Sequence, residues 1–256
     1  MNSKDLTVIE HIEEIRKRLW LVAIVFILGI VGSFFLAKPL IHFLQANEQM
    51  ENLPLNVFQV TDPVMIYLKV ILFLAFVITS PVILYQLWSF VSPGLHETER
   101  RATLSYIPYS FILFLAGISF SYFVLFPFVM KFMITLAGDL GVTPLIGIND
   151  YFNFLFQITL PFGVIFQLPV ALLFFTRLGF ITPMMMVKVR KYAYFGLFTI
   201  AAFITPPDIM SHLLVTVPLL ILYEISIAIS KIGYRKYLKA EQKRQIEEQQ
   251  ESLQSN

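Results

Sequence analysis

The residues able to do chemistry are a few carboxylates placed beside bases and next to long apolar runs. His11-Ile12-Glu13-Glu14-Ile15-Arg16-Lys17-Arg18-Leu19 sets two acids among three bases. As a helix, it puts Glu13 four residues before Lys17 and Glu14 four before Arg18, the favourable order for i,i+4 pairs. A second cluster, Glu97 and Glu99 beside Arg100 and Arg101, follows Phe90. Carboxylates left available would take visiting guanidinium groups through charge-assisted, bidentate hydrogen bonds. Against this, Arg16, Arg18, Arg100 and Arg101 would satisfy the same acids internally, and these residues alone favour that internal pairing.

Polar groups within the apolar runs form a second set. Gln157, Gln167 and Glu224 interrupt otherwise apolar sequence, and a carboxylate at membrane depth is a functional candidate by default. The plainer role for Glu224 is a packing hydrogen bond to Ser, Thr or Tyr. Gln167 serves either as interhelical glue or as a docking point for a partner helix. Thr205-Pro206-Pro207-Asp208 forms a stiff turn in which Asp208 caps the following helix. Close to hydrocarbon, the same aspartate would receive a partner's polar or basic group. No enzyme is expected: there is no phosphate-binding glycine loop and no Cys, and His11, His42, His96 and His212 lack metal-ligand spacing. Gly117-Ile118-Ser119-Phe120 lacks the second glycine of a serine-nucleophile turn, and His212 has no evident way to meet it. Neither a cofactor nor a nucleic-acid partner is expected.

These groups need a membrane-embedded scaffold. With 57% apolar residues, 26 Phe and only 14% charged residues in 256, the chain reads as an all-α polytopic membrane protein. Six apolar segments stand out, at 19–37, 65–90, 104–129, 152–178, 192–204 and 212–232. The first four are long enough for a hydrocarbon core of about 30 Å. The fifth, at roughly 20 Å of helix, is not; it and the sixth are expected to form a short hairpin. Basic residues crowd one face: Lys4, Arg16 to Arg18, Arg100 and Arg101, Arg177, Lys188, Arg190, Lys191 and the bases from Lys231 on. The other face has only Lys38, Lys69 and Lys131. The positive-inside rule then makes both termini cytoplasmic, as expected for a multi-pass protein of the cell membrane.

The domain organisation follows: residues 1–18 as a cytoplasmic amphipathic helix, 19–232 as a six-helix membrane domain, and 233–256 as a charged, disordered or loosely helical tail. The helix before the first span carries an apolar stripe, Leu6, Ile9, Ile12, Ile15 and Leu19, suited to lipid or to other helices. Pro81, Pro108, Pro127, Pro161, Pro169 and Pro218 lie inside apolar runs, so several spans should be kinked and the molecule cupped. The first segment is not a cleavable signal. With no inverted repeat, a proton-coupled transporter or channel centred on Glu224 and Gln167 is the weaker functional class.

Five motifs in order then resemble the TatC family, the membrane receptor subunit of the twin-arginine protein translocase. They are His11 to Leu19, Ser80-Pro81 through Leu95 with Glu99-Arg100-Arg101, Pro161 through Pro169, Thr205 to Asp208, and Leu222-Tyr223-Glu224-Ile225-Ser226. The resemblance covers residues 9–235. It implies a glove-like, concave fold, and a cytoplasmic site in which Glu14 and Glu99, supported by Arg16 and Phe90, bind the paired arginines of export signal peptides on folded precursors. It further implies homo- and hetero-oligomers in the bilayer, with single-span TatA/TatB-type subunits docking at Gln167, Thr205, Pro206, Asp208 and Glu224. Energy would come from the membrane gradient. Gln167 stands where the family often has Glu, so that position cannot ionise.

Overall fold

The computed structural model describes residues 8–45, 55–91, 106–205 and 208–254. The elements in order are α1 (Val8–Gln45), β1 (Leu55–Asn56), α2 (Asp62–Val91), α3 (Tyr106–Phe120), a π-helical turn (Ser121–Leu125), α4 (Phe126–Asp139), β2 (Ile146–Gly147), α5 (Ile148–Ile165), α6 (Leu168–Arg177), α7 (Pro183–Lys188), α8 (Arg190–Ile204) and α9 (Ile209–Gln254). Five helical stretches are long and apolar enough to cross a membrane: Ile12–Gln45, Asp62–Phe90, Ile107–Asp139, Ile148–Arg177 and Ile209–Arg235. At 15 residues, α8 is not among them. The chain forms two compact units, residues 1–111 with 133–157, and residues 112–132 with 158–256.

In the first unit, α1 packs along α2. Gly29, Ser33 and Ala37 recur every four residues on α1, with Ser33 and Ala37 fully buried, as are Ala75 and Thr79 of α2. A side chain at Gly29 would meet Thr79 Oγ1 at 3.1 Å and the Ala75 carbonyl at 3.4 Å. Small residues let the backbones approach, which drives helix association where no hydrophobic difference from lipid exists. β1 pairs in parallel with β2, Leu55 opposite Ile146 and Asn56 opposite Gly147. Gly147 has no room for a Cβ, which would fall 2.7 Å from Asp150 Oδ2 and 2.9 Å from Phe58. Buried Asp62 opens α2 by accepting hydrogen bonds from the N–H groups of Phe58 (3.2 Å) and Gln59 (3.0 Å). Tyr151 of α5 donates to the Leu44 carbonyl at 2.7 Å, and Phe156 stacks on Phe73 with centroids 4.6 Å apart.

In the second unit, the prolines act through specific lost hydrogen bonds. Pro127 cannot donate to the Phe123 carbonyl, and the helix widens into the π turn, where the Phe126 N–H bonds Ser121 O. Pro169 likewise cannot serve Ile165, and the fourth apolar segment breaks at Phe166–Gln167 into α5 and α6. Near this joint, Gly117 and Gly163 have no space for a side chain against Phe162, Phe166 and Phe114. Helix α6 packs on α9, joined by the Thr176 and Ser230 hydroxyls 2.5 Å apart. Gly179 closes α6 at φ +77°, with the Tyr237 hydroxyl directly over it. Thr182 caps α7 by accepting from the Met185 N–H at 3.2 Å.

Three expected boundaries differ. The amphipathic segment and the first span are one helix, because no Gly or Pro lies between Val8 and Leu28, across the expected boundary. The stretches between the expected apolar segments, after residue 37 and after residue 129, are partly helical, since α1 runs to Gln45 and α4 to Asp139. The sixth segment is not short, and the tail expected as disordered or loosely helical continues it as helix to Gln254. The tail from Lys236 on is rich in Gln, Glu and Lys, all good helix formers, and no Gly or Pro intervenes.

Candidate functional site

Glu14 sits on α1 where the helix runs beside the last turn of α2. The expected i,i+4 pair forms: Arg18 Nη2 and Nε donate to Glu14 Oε1 at 2.5 and 3.1 Å. Arg18 also reaches α2, with Nη1 to Gln86 Oε1 at 2.9 Å and Nη2 to the Ser89 carbonyl at 3.2 Å. The guanidinium thus ties both helices together, its five N–H donors arranged as a rigid fork. These contacts use only Oε1 of Glu14; among the described residues, Oε2 has no partner. The Glu14 and Arg18 side chains are 26% and 21% exposed, so solvent reaches the site but screens it partially.

Glu13 behaves differently. It pairs with Lys17 at 3.3 Å and Arg16 at 3.7 Å, with Arg16 and Lys17 mostly exposed. Such pairs contribute little. Arg16 is therefore directed to Glu13 and not to Glu14. Phe90 lies half-buried one residue before the end of α2. Glu99, with Glu97, Arg100 and Arg101, falls outside the described residues, so the second carboxylate cluster has no geometry here. Gln86 and Ser89, which anchor the arginine, were missed in sequence. Their signal was faint: a polar side chain, Gln86, among apolar neighbours near a helix end.

The second set lies in the other unit. Glu224 of α9 accepts from Arg190 Nη2 at 2.9 Å through Oε2, and from the Tyr194 hydroxyl through Oε1. Both carboxylate oxygens are engaged, and the bridge runs from α9 to the first turn of α8. The tyrosine partner is the packing role expected of Glu224; Arg190 was missed because it stands 34 positions away and reads as a topology charge. Tyr223 donates to the Met186 carbonyl at 3.0 Å, fixing α7 on the same helix.

At the other end of the α8–α9 hairpin, Thr205 is buried and donates to the Ala201 carbonyl at 3.0 Å. Asp208 caps α9 as expected, Oδ2 accepting from the Ser211 N–H at 2.7 Å. Asp208 Oδ1, Ser211 Oγ and His212 Nε2 are buried and lack hydrogen-bond partners among the described residues. His212 stacks edge-on against Phe198 at 4.2 Å. Pro206 lies outside the described residues. Gln167 occupies the α5–α6 joint, its N–H donating to the Val164 carbonyl at 3.0 Å and its carbonyl accepting from Ala171 at 2.9 Å. Among the described residues, no group of His, Asp and Glu is arranged to hold a metal ion.

Comparison with known proteins agrees with this architecture. The family described as Sec-independent protein translocase protein (TatC) matches residues 10–218. The chain is 57% identical to the Sec-independent protein translocase protein TatCy of Bacillus subtilis (strain 168), over 94% of each. It is 53% identical to the TatC protein of Halalkalibacterium halodurans, over 98% of this chain and 99% of that one. A crystal structure described as the twin arginine translocase receptor TatC superposes with a TM-score of 0.78 at 36% identity, covering 88% of this chain and 99% of that chain. The match runs through the motif around Glu14, the α2 segment that anchors Arg18 and the α8–α9 hairpin, and the chain belongs to the TatC family, as a multi-pass membrane component of the twin-arginine protein translocase.

Proposed function

We propose that this chain is the signal-peptide receptor of its translocase, with Glu14 and Glu99 taking the paired arginines of the export signal and Phe90 and Arg16 bordering the site. The observation that carries this reading is the half-used carboxylate of Glu14. Arg18, moored to Gln86 and Ser89, holds Oε1 in place, and Oε2 remains to accept a charge-assisted bond from a visiting guanidinium. Glu99 follows α2 by a few residues, on the same face by the distribution of Lys and Arg. That distribution puts both termini in the cytoplasm, with α8 counted as a sixth, short pass. Replacing Glu14 and Glu99 singly with Gln and measuring export of a twin-arginine reporter tests the assignment. Loss of export is expected; undiminished export by well-inserted variants would sink it.

The α8–α9 hairpin is the proposed docking place for single-span TatA/TatB-type subunits, together with Gln167 and Glu224. The buried, unpartnered Asp208 Oδ1, Ser211 Oγ and His212 Nε2 support it, since buried polar atoms normally find partners. A folded precursor is far wider than a six-helix protein, so the conduit would come from other subunits. The rival reading, a proton-coupled transporter centred on Glu224 and Gln167, is weakened because Arg190 and Tyr194 occupy both oxygens of Glu224.

A further inference from the structure

Lys69 lies seven residues into α2, in a helix of 30 residues. Its ammonium donates to Asn149 Oδ1 and Asn153 Oδ1, each at 2.6 Å. The two asparagines are one turn apart on α5 and close on the lysine from one side. Among the described residues no carboxylate forms an ion pair with Lys69. Because each amide turns its oxygen to the ammonium, each turns its NH₂ group away. The third ammonium hydrogen and two amide NH₂ groups, unpartnered among the described residues, leave a cluster of donors and one net positive charge.

The surroundings identify what such a cluster takes. Met65 and Leu72, one turn to either side on the same face of α2, are 48% and 49% exposed, and neighbouring Leu68 is 50% exposed. Met65, Leu68 and Leu72 thus form an apolar strip turned outward on one flank of Lys69, as a lipid-facing strip is, while Ile66 and Phe73 on its other flank pack inward. A 30-residue helix is about 45 Å long against a hydrocarbon core of about 30 Å, so a residue about 10 Å from its start sits near the core boundary. Phosphates lie at that depth, and a lysine reaches them by extending its stem.

We propose that Lys69, Asn149 and Asn153 form a binding site for the phosphate of an anionic phospholipid. The lysine neutralises the lipid charge, and the amide NH₂ groups donate to the phosphate oxygens. The site lies away from Glu14 and does not depend on how the signal peptide binds.

Native mass spectrometry of the full-length purified protein, titrated with phosphatidylglycerol or phosphatidylcholine, tests it. The wild type should retain phosphatidylglycerol preferentially, and Lys69→Gln should lower its apparent affinity about tenfold, the loss of one charge-assisted contact. Asn153→Ala should lower it less, and Lys69→Arg should keep most of it. A melting temperature for Lys69→Gln equal to wild type in phosphatidylcholine shows that the fold is intact; if that variant does not fold, Asn153→Ala and Lys69→Arg carry the comparison. Equal phosphatidylglycerol retention by wild type, Lys69→Gln and Asn153→Ala overturns the proposal. So does displacement of the lipid by millimolar inorganic phosphate, which would make the site one for the free anion. Unchanged lipid retention with lost co-purification of a partner protein would also overturn it, assigning the lysine to a partner's carboxylate.

Discussion

Glu14 and Glu224 are each paired with one arginine, but the two pairs distribute their bonding capacity in opposite ways. In the Glu14 pair the arginine uses all three of its nitrogens, reaching the carboxylate, Gln86 and the Ser89 carbonyl, while one carboxylate oxygen is spare. In the Glu224 pair both carboxylate oxygens are engaged, by Arg190 and Tyr194, while buried Arg190 Nε lacks a partner among the described residues. An arginine moored to a second helix, behind a carboxylate with one unused oxygen, leaves an acceptor for a guest. A carboxylate with both oxygens engaged ties two helices to each other. Chemical identity of a pair therefore does not determine its role; which of its oxygens and protons are already engaged does.

Substitutions can break this contrast. The largest effect is expected from Glu14→Gln, which should weaken twin-arginine peptide binding by about 10- to 100-fold, the loss of one or two charge-assisted bonds, with the fold retained. Peptide crosslinking in membranes reads it, and Glu224→Gln should leave the same crosslink nearly unchanged; equal losses for both would erase the distinction. Next, Arg18→Ala should lower stability by about 2–3 kcal/mol, since it strands Glu14, Gln86 and a backbone carbonyl together. Thermal unfolding in detergent measures that loss, and a shift near zero would mean the α1–α2 tie is not maintained. Tyr194→Phe should cost about 1 kcal/mol in the same assay by removing one hydrogen bond to a charged group, without affecting peptide binding. Smallest is Glu13→Gln, expected within about 0.5 kcal/mol because its partners are exposed; a larger effect would show that Glu13 belongs with Glu14.

Much of this was legible in the residues. The i,i+4 pairs of Glu13 with Lys17 and Glu14 with Arg18 and the cap at Asp208 follow from helical periodicity and local chemistry, whereas for Glu224 only a packing bond to some Ser, Thr or Tyr was legible. What could not be read was which acid keeps a free oxygen. That depends on Gln86 and Ser89, about seventy positions from Arg18, and on Arg190, 34 positions from Glu224. The extent of α9 was misjudged for another reason: low hydropathy after residue 232 marks the end of an apolar run, and helix formers continue past it.

The chain by itself determined its solvent, its apolar segments, its charge asymmetry and the motifs of its family, because burial in lipid and helical period are written in composition and spacing. Tertiary structure alone decided that Arg18 is moored to α2, that both oxygens of Glu224 are engaged, and that Lys69 meets two asparagines and, among the described residues, no acid. Each depends on side chains brought together across helices, where distance in sequence carries no information about distance in space.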